Sequence, residues 1–182
     1  DRYLGALFDP KSGHLHPLNY TLGLGRAALA AGVRIYEQSP VIELVRGDGA
    51  ASKPRLRTAE GELEADVLVL AGNAYVHGLA PELDARVMPV GTYIGATEPI
   101  GAERMQSLIR DGIAVADINW ALDYFRPSSE HRLLFGGRAS YSTLQPLNLR
   151  ATMISRMTRV FPQLAGVKLD HVWGGYVDIS LN

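Results

Sequence analysis

At 182 residues the chain is long enough for one sizeable core, or for a domain with parts of a neighbour. Its 47% hydrophobic and 20% charged residues fit an ordinary globular protein, and a formal net charge of -1 leaves no basic footprint for nucleic acid or an anionic membrane surface. Disulfides are excluded because there is no Cys, and no apolar run reaches the ~20 residues a membrane-spanning helix needs; with no signal peptide either, a reducing cytoplasmic setting is expected.

Asp1 to His16 mixes short apolar stretches with turn formers (Asp9-Pro10, Ser12-Gly13), which reads as loop with a short strand. Pro17 stands where a helix would begin, and Leu18, Leu22 and Leu29 recur at helical spacing up to Gly32, a natural residue for the position after a helix end. Val33 to Tyr36 and Val41 to Val45 are short β-prone runs, and Gly47 to Lys53 is a surface turn. Arg55 to Thr58, the turn at Glu60-Gly61, and Glu62 to Ala65 make a hairpin. Val67 to Leu70 is a continuous apolar run, expected as a strand buried on both faces and ending at the sharp turn Ala71-Gly72-Asn73.

Beyond Pro81 the pattern changes. Val87 to Thr97 is expected as a strand and Glu103 to Arg110 as a short helix. Asp123 to Arg126 and Arg132 to Phe135 read as strands joined at Ser128-Ser129-Glu130. Leu147 to Phe161 is a long helix whose apolar stripe is Leu149, Met153, Met157 and Val160, with Pro162 just past its end. Val167 to Trp173 is the last strand. The chain opens on Asp1, not Met, and its last residues, Val172 to Asn182, stop in mid-pattern, so both ends read as cut, with further N- and C-terminal segments of the same chain expected.

Gly23-Leu24-Gly25-Arg26-Ala27-Ala28 fits the dinucleotide pattern G-x-G-x-x-A, in which glycines let backbone approach a pyrophosphate at a helix N-terminus. That reading requires a strand entering Gly23. Here the helical pattern already runs from Pro17, so the glycines fall within a helix and the motif is a decoy. The turn Ala71-Gly72-Asn73 lies where open α/β sheets place ligands, and Trp173-Gly174-Gly175 permits close approach to a flat ligand; each is equally readable as a plain turn or bulge. His14 and His16 would share a face of a strand, but no Cys or carboxylate pair completes a metal site; His77, His131 and His171 read as surface or hydrogen-bonded residues. Asp117 to Tyr124 mixes acids with Trp120 and Tyr124, as a pocket for a cationic amine would, or as a strand with core aromatics would. No hydrolase elbow or zinc-protease motif is present, and no catalytic acid–base pair emerges.

In their order and spacing, Pro17 to Gly32 with Val33 to Val45, Gly61 to Asn73, Met88-Pro89-Val90-Gly91, Tyr124-Phe125-Arg126-Pro127 with Leu134-Phe135-Gly136-Gly137, and Trp173-Gly174-Gly175 resemble the D-amino-acid-oxidase-like FAD-dependent oxidoreductases, the group with glycine oxidase and sarcosine oxidase. Ala71 to Tyr75, Asp117 to Trp120 and Gly174 to Ser180 are most similar to the branch acting on gamma-glutamylputrescine. The resemblance implies a mixed α+β and α/β fold: a substrate domain with a mostly antiparallel sheet and flanking helices, plus parts of a FAD-binding Rossmann-like domain. Residues 1–82 would belong to the FAD-binding domain with a β-hairpin insertion, 83–171 to the substrate domain, and 172–182 to the return toward the FAD domain.

The resemblance also implies FAD as cofactor and roles by position. Val41, at the end of a strand, would touch the adenine side through its backbone; Ala71, Gly72 and Asn73 would pass close to the cofactor; Trp173, Gly174 and Gly175 would lead back toward the flavin. Trp120 and Tyr124 would face a small amine. Amino-acid oxidases of the family tend to carry Arg four residues after this Trp as a carboxylate clamp, and here that place is Val177. Its absence favours an amine lacking an adjacent carboxylate. The expected parent is a FAD-dependent amine oxidase that moves hydride from a C–N bond to flavin and then electrons to oxygen, while this piece alone is expected to be inert. The competing readings are a non-enzymatic substrate-binding or structural domain and, further behind, a nicotinamide-dependent dehydrogenase using Gly23 to Ala28.

Overall fold

A computed structural model of the chain describes residues 3–48, 52–76, 78–141, 144 and 146–180. The chain divides into two compact units, Asp1–His14 with Pro89–Val177, and Leu15–Met88 with Asp178–Asn182.

The second of these begins with α1, Pro17–Ala30. Pro17 occupies its first turn, and the His16 ring accepts a hydrogen bond from the Asn19 N–H at 3.3 Å, capping one orphan donor. At the other end Gly32 has φ +88°, while its N–H bonds to Leu29 and that of Val33 to Ala28, a Schellman stop as the sequence led one to expect. Gly23 and Gly25 lie inside this helix with no strand entering them, which rules out the nicotinamide reading.

Strands β1 (Glu43–Val45), β2 (Arg55–Arg57) and β3 (Glu62–Glu64) follow as an antiparallel three-stranded sheet. Leu44, Leu56 and Leu63 align across it on one face, with Glu and Arg residues on the other. The expected hairpin is therefore present, although of the turn Gly47 to Lys53 residues 49–51 lie outside the described residues. Val33 to Tyr36 forms no strand, and neither does Val67 to Leu70, whose Val67 and Val69 are 76% and 78% exposed. An apolar run becomes a doubly buried strand only with a partner on each edge. Here β3 pairs with β2 alone, so the run has the composition of a central strand and no ladder to join. After α2, Pro81–Asp84, the chain passes into the other unit.

That unit is built on a five-stranded sheet in the order β5-β6-β7-β4-β8. Its strands are β4 (Val87–Thr97), β5 (Val115–Ala116), β6 (Tyr124–Pro127), β7 (Leu133–Ser140) and β8 (Leu169–Ser180), the last running well past the expected Trp173. The helices α3 (Ala102–Leu108) and α4 (Leu149–Val160) supply the rest of its core. Met153 and Met157 of the expected apolar stripe are fully buried, with Leu149 and Val160 packed at the margin of the same cluster. Met105, Ile109, Leu133, Phe135, Leu164 and Leu169 complete it, and Phe125 stacks on Phe135 at 5.8 Å while meeting Phe161 edge-on at 4.9 Å. The mixed architecture with an antiparallel sheet agrees with the expected fold class.

Candidate active site on the antiparallel sheet

Directly opposed residues of an antiparallel pair share a face, and neighbours along a strand alternate. Tyr124 opposes Gly136, which opposes Ile94; Phe125 opposes Phe135, which opposes Gly95. Phe125 and Phe135 belong to the core, so Tyr124, Gly136 and Ile94 lie on the other face. A side chain at 136 would overlap the ring of Tyr124, so Gly136 is the floor on which that ring lies. The Tyr124 hydroxyl is held by the Thr92 hydroxyl at 2.9 Å. Ring and hydroxyl are thus both fixed before any ligand arrives.

On the core face the residue before Tyr124 is Asp123, only 1% exposed. Its carboxylate receives Arg156 from α4 through Nε at 2.8 Å and Nη2 at 2.5 Å, and Nη2 also donates to the Ala121 carbonyl at 2.8 Å. Gly137 leaves the room: a Cβ there would sit 2.7 Å from Asp123 Oδ1 and 3.1 Å from Arg156 Nε. The connection from β5 to β6 is braced a second time by Asp117, which accepts from the backbone N–H of Asn119 and of Asp123, each at 3.0 Å, from the Asn119 side chain, and from the Tyr3 hydroxyl at 3.2 Å. Desolvation pushes the Asp117 carboxyl up, but these donors together outweigh it and hold the group below its ordinary value. What the braced loop presents outward is apolar: Ile118 and Trp120 are exposed, with the indole N–H donating to the Tyr141 hydroxyl at 3.1 Å. The Asp123–Arg156 pair had no signal in the sequence, since the two stand 33 residues apart, one just before β6 and the other on α4.

The remaining expected site residues fall as follows. Trp173, Gly174 and Gly175 lie on β8, and Val177 is half exposed farther along it. A side chain at Gly174 would run into the Tyr93 ring and approach the Thr92 carbonyl at 3.0 Å, so packing alone accounts for that glycine. In the other unit Val41 is half-buried and precedes β1 instead of ending a strand. Ala71 and Gly72 are exposed and lead into a short 3-10 turn, Asn73–Tyr75. Asn73 has φ +53°, and its side-chain oxygen accepts from the Ala74 N–H at 2.6 Å and the Asp178 N–H at 3.1 Å, tying the turn to the end of β8. Ala71 and Gly72 are small and exposed, which fits contact with a flat cofactor, although a Cβ at Gly72 would already meet Val76 Cγ1 at 2.7 Å. The described residues offer no glycine loop at a helix N-terminus for a diphosphate, since Gly23 and Gly25 are spent inside α1. Among the described residues no group of three His, Cys, Asp or Glu could hold a metal ion. His14 bonds within its own unit, His131 sits in the turn between β6 and β7, and His77 lies outside the described residues. No described helix is long and apolar enough to cross a membrane.

Comparison with known proteins bears on the same residues. Residues 1–182 match the family described as FAD dependent oxidoreductase. The probable oxidoreductase OrdL of Haemophilus influenzae is 41% identical over 186 residues, covering 100% of this chain and 42% of that protein. The gamma-glutamylputrescine oxidoreductase of Escherichia coli is 38% identical over 183 residues, with 100% and 42% covered. Glycine oxidase from Geobacillus kaustophilus superimposes with a TM-score of 0.69 at 21% identity, over 87% of this chain and 41% of that one, a likeness of fold. The chain belongs to the FAD-dependent oxidoreductase family, and it spans about two fifths of the length of the curated relatives it matches.

Proposed function

From the chain's membership of the FAD-dependent oxidoreductases, we propose that it carries the amine-binding sheet, and part of the surface contacting the cofactor, of an enzyme that oxidises a C–N bond of a small amine such as gamma-glutamylputrescine. One observation carries the reading: Tyr124 lies flat over Gly136 with its hydroxyl held by Thr92, on the sheet face turned away from the core. Such a face offers an aromatic wall and one oriented hydroxyl, which suits an uncharged amine bound for reaction. The apolar side chains of Trp120 and Ile118 would exclude water from it, and a drier setting lowers the pKa of a bound ammonium so that the neutral amine is available. With Val177 in place of a guanidinium, no carboxylate clamp stands at that position, which disfavours a free α-amino acid.

Bound FAD supplies the hydride acceptor and, with oxygen as terminal acceptor, the route by which the electrons leave. Val41, Ala71, Gly72 and Asn73 would hold it largely through backbone groups, with Trp173, Gly174 and Gly175 flanking it. In this reading residues 1–82 contribute to the FAD domain, 83–171 to the substrate domain, and 172–182 to the return between them. The remaining length of such an enzyme would cover the apolar side chains that α1 and the Val67–Leu70 run leave exposed. The setting would be cytoplasmic polyamine metabolism.

The test is oxygen uptake by the full-length protein with gamma-glutamylputrescine, putrescine, glycine and sarcosine, alongside its visible spectrum. Flavin bands and turnover of the amines in preference to the amino acids are expected. A protein that binds FAD but prefers glycine or sarcosine would overturn the amine assignment, and one that binds no flavin would overturn the enzymatic reading.

A further inference from the structure

Arg126 stands two residues beyond Tyr124 on β6, hence on the same face of the sheet and about 7 Å along it. It is half-buried. Its Nη1 lies 3.4 Å from His14 Nδ1, while His14 Nε2 lies 2.8 Å from the Gly112 carbonyl oxygen. A carbonyl only accepts, so Nε2 carries the proton and Nδ1 turns its lone pair to the guanidinium. Arg126 therefore faces an imidazole acceptor at long range. Of the other half-buried arginines of this unit, Arg132 is matched by Asp170 at 2.5 Å and Glu130 at 3.1 Å and Arg156 by Asp123, while among the described residues no acid pairs with Arg138. Among the described residues no carboxylate reaches Arg126. A partly desolvated guanidinium whose fork of donors meets only an imidazole is a poor arrangement by itself and a good one for an incoming anion.

We infer that Arg126, oriented by His14, forms a carboxylate subsite on the Tyr124 face, taking the far end of an amine substrate that carries an acidic group several bonds from the reacting nitrogen. The inference rests on the proposed function, in which the Tyr124 face receives the amine. The spacing indicates the substrate class: Tyr124 and Arg126 are separated by a full pleat repeat, which suits a ligand whose amine and carboxylate are on different carbons well apart. A diamine acylated by a dicarboxylic amino acid, or an ω-amino acid, has the required reach.

The experiment compares gamma-glutamylputrescine with N-acetylputrescine, which has the same reacting end and no carboxylate, in full-length wild type, Arg126→Gln and Arg126→Lys. Calorimetric titration with glutarate is run in parallel. Arg126→Gln is expected to raise KM for gamma-glutamylputrescine about ten- to a hundredfold, the usual loss of a charge-assisted hydrogen bond, with kcat little changed and N-acetylputrescine within twofold. Arg126→Lys, which keeps the charge but not the fork, should fall between. Glutarate should bind wild type and lose affinity in parallel in the variants. Equal effects on the two amines, no effect on either, or a wild type that fails to bind glutarate would overturn the subsite. If wild type oxidises neither amine yet binds glutarate through Arg126, the functional reading fails and the anion site stands.

Discussion

The Asp123–Arg156 pair offers a prediction whose size follows from its burial. Replacing Arg156 with Met keeps most of the side-chain length on α4 and removes the guanidinium that meets Asp123 at 2.5 and 2.8 Å. Asp123 is 1% exposed, so removing the guanidinium takes away the counter-charge that Arg156 gives a buried carboxylate, a change that typically costs about 3–5 kcal/mol. The Arg156 side chain is 24% exposed, so water can follow into part of the vacated space and the lower end of that range is expected. Adding Asp123→Leu should recover much of the loss, because a buried ion pair replaced by apolar groups is often close to neutral. The assay is urea denaturation followed by circular dichroism on wild type, both single variants and the double variant, read as a double-mutant cycle. If Arg156→Met alone lies within about 1 kcal/mol of wild type, the pair behaves like a surface ion pair and the reasoning fails.

Gly136→Ala places a methyl group where the Tyr124 ring now lies; the ring must lift off β7 and the Thr92 hydrogen bond must break, costing about 1–3 kcal/mol of stability and raising KM for amine in steady-state assays. Asp117 is held below its ordinary value, so its contribution to stability is present above the unfolded carboxylate pKa of about 3.9 and is lost as pH falls through the lower folded value. Thermal scans at pH 6 and pH 3 should therefore show a smaller difference in Tm for Asp117→Asn than for wild type, and an equal or larger one would argue against the brace. Val177→Arg should shift substrate preference in the full-length protein toward amino acids carrying a carboxylate beside the amine; an unchanged profile would count against the reading of that position.

The sequence was most legible where local pattern and tertiary packing agree. Pro17, Gly32 and the Leu149–Met153–Met157–Val160 stripe announce helices that the fold buries or caps as expected, and Val87 to Thr97 is a strand from end to end. It misled at Val67 to Leu70, because composition records the burial a segment is suited to, while a ladder requires a neighbour. Site residues divide the same way. Tyr124 stood out as an aromatic beside acids, yet what gives it a fixed pose is Gly136 on the next strand and Thr92 on the one beyond, contacts of long sequence separation. Gly174 reads in the sequence as a place for a flat ligand to approach or as a bulge, and only the fold shows that the Tyr93 ring occupies the space a side chain there would need. Arg126 sat in plain view within Tyr124-Phe125-Arg126-Pro127, but only its surroundings in space, where among the described residues no carboxylate reaches it, give it meaning.

The most direct test of the proposed amine oxidation is anaerobic mixing of the full-length flavoprotein with gamma-glutamylputrescine, followed by loss of the flavin absorbance. Bleaching in a single phase at a rate matching turnover, with glycine and sarcosine leaving the spectrum nearly unchanged, is the expected result. A flavin that stays oxidised with the amine, or is reduced faster by an α-amino acid, would contradict it.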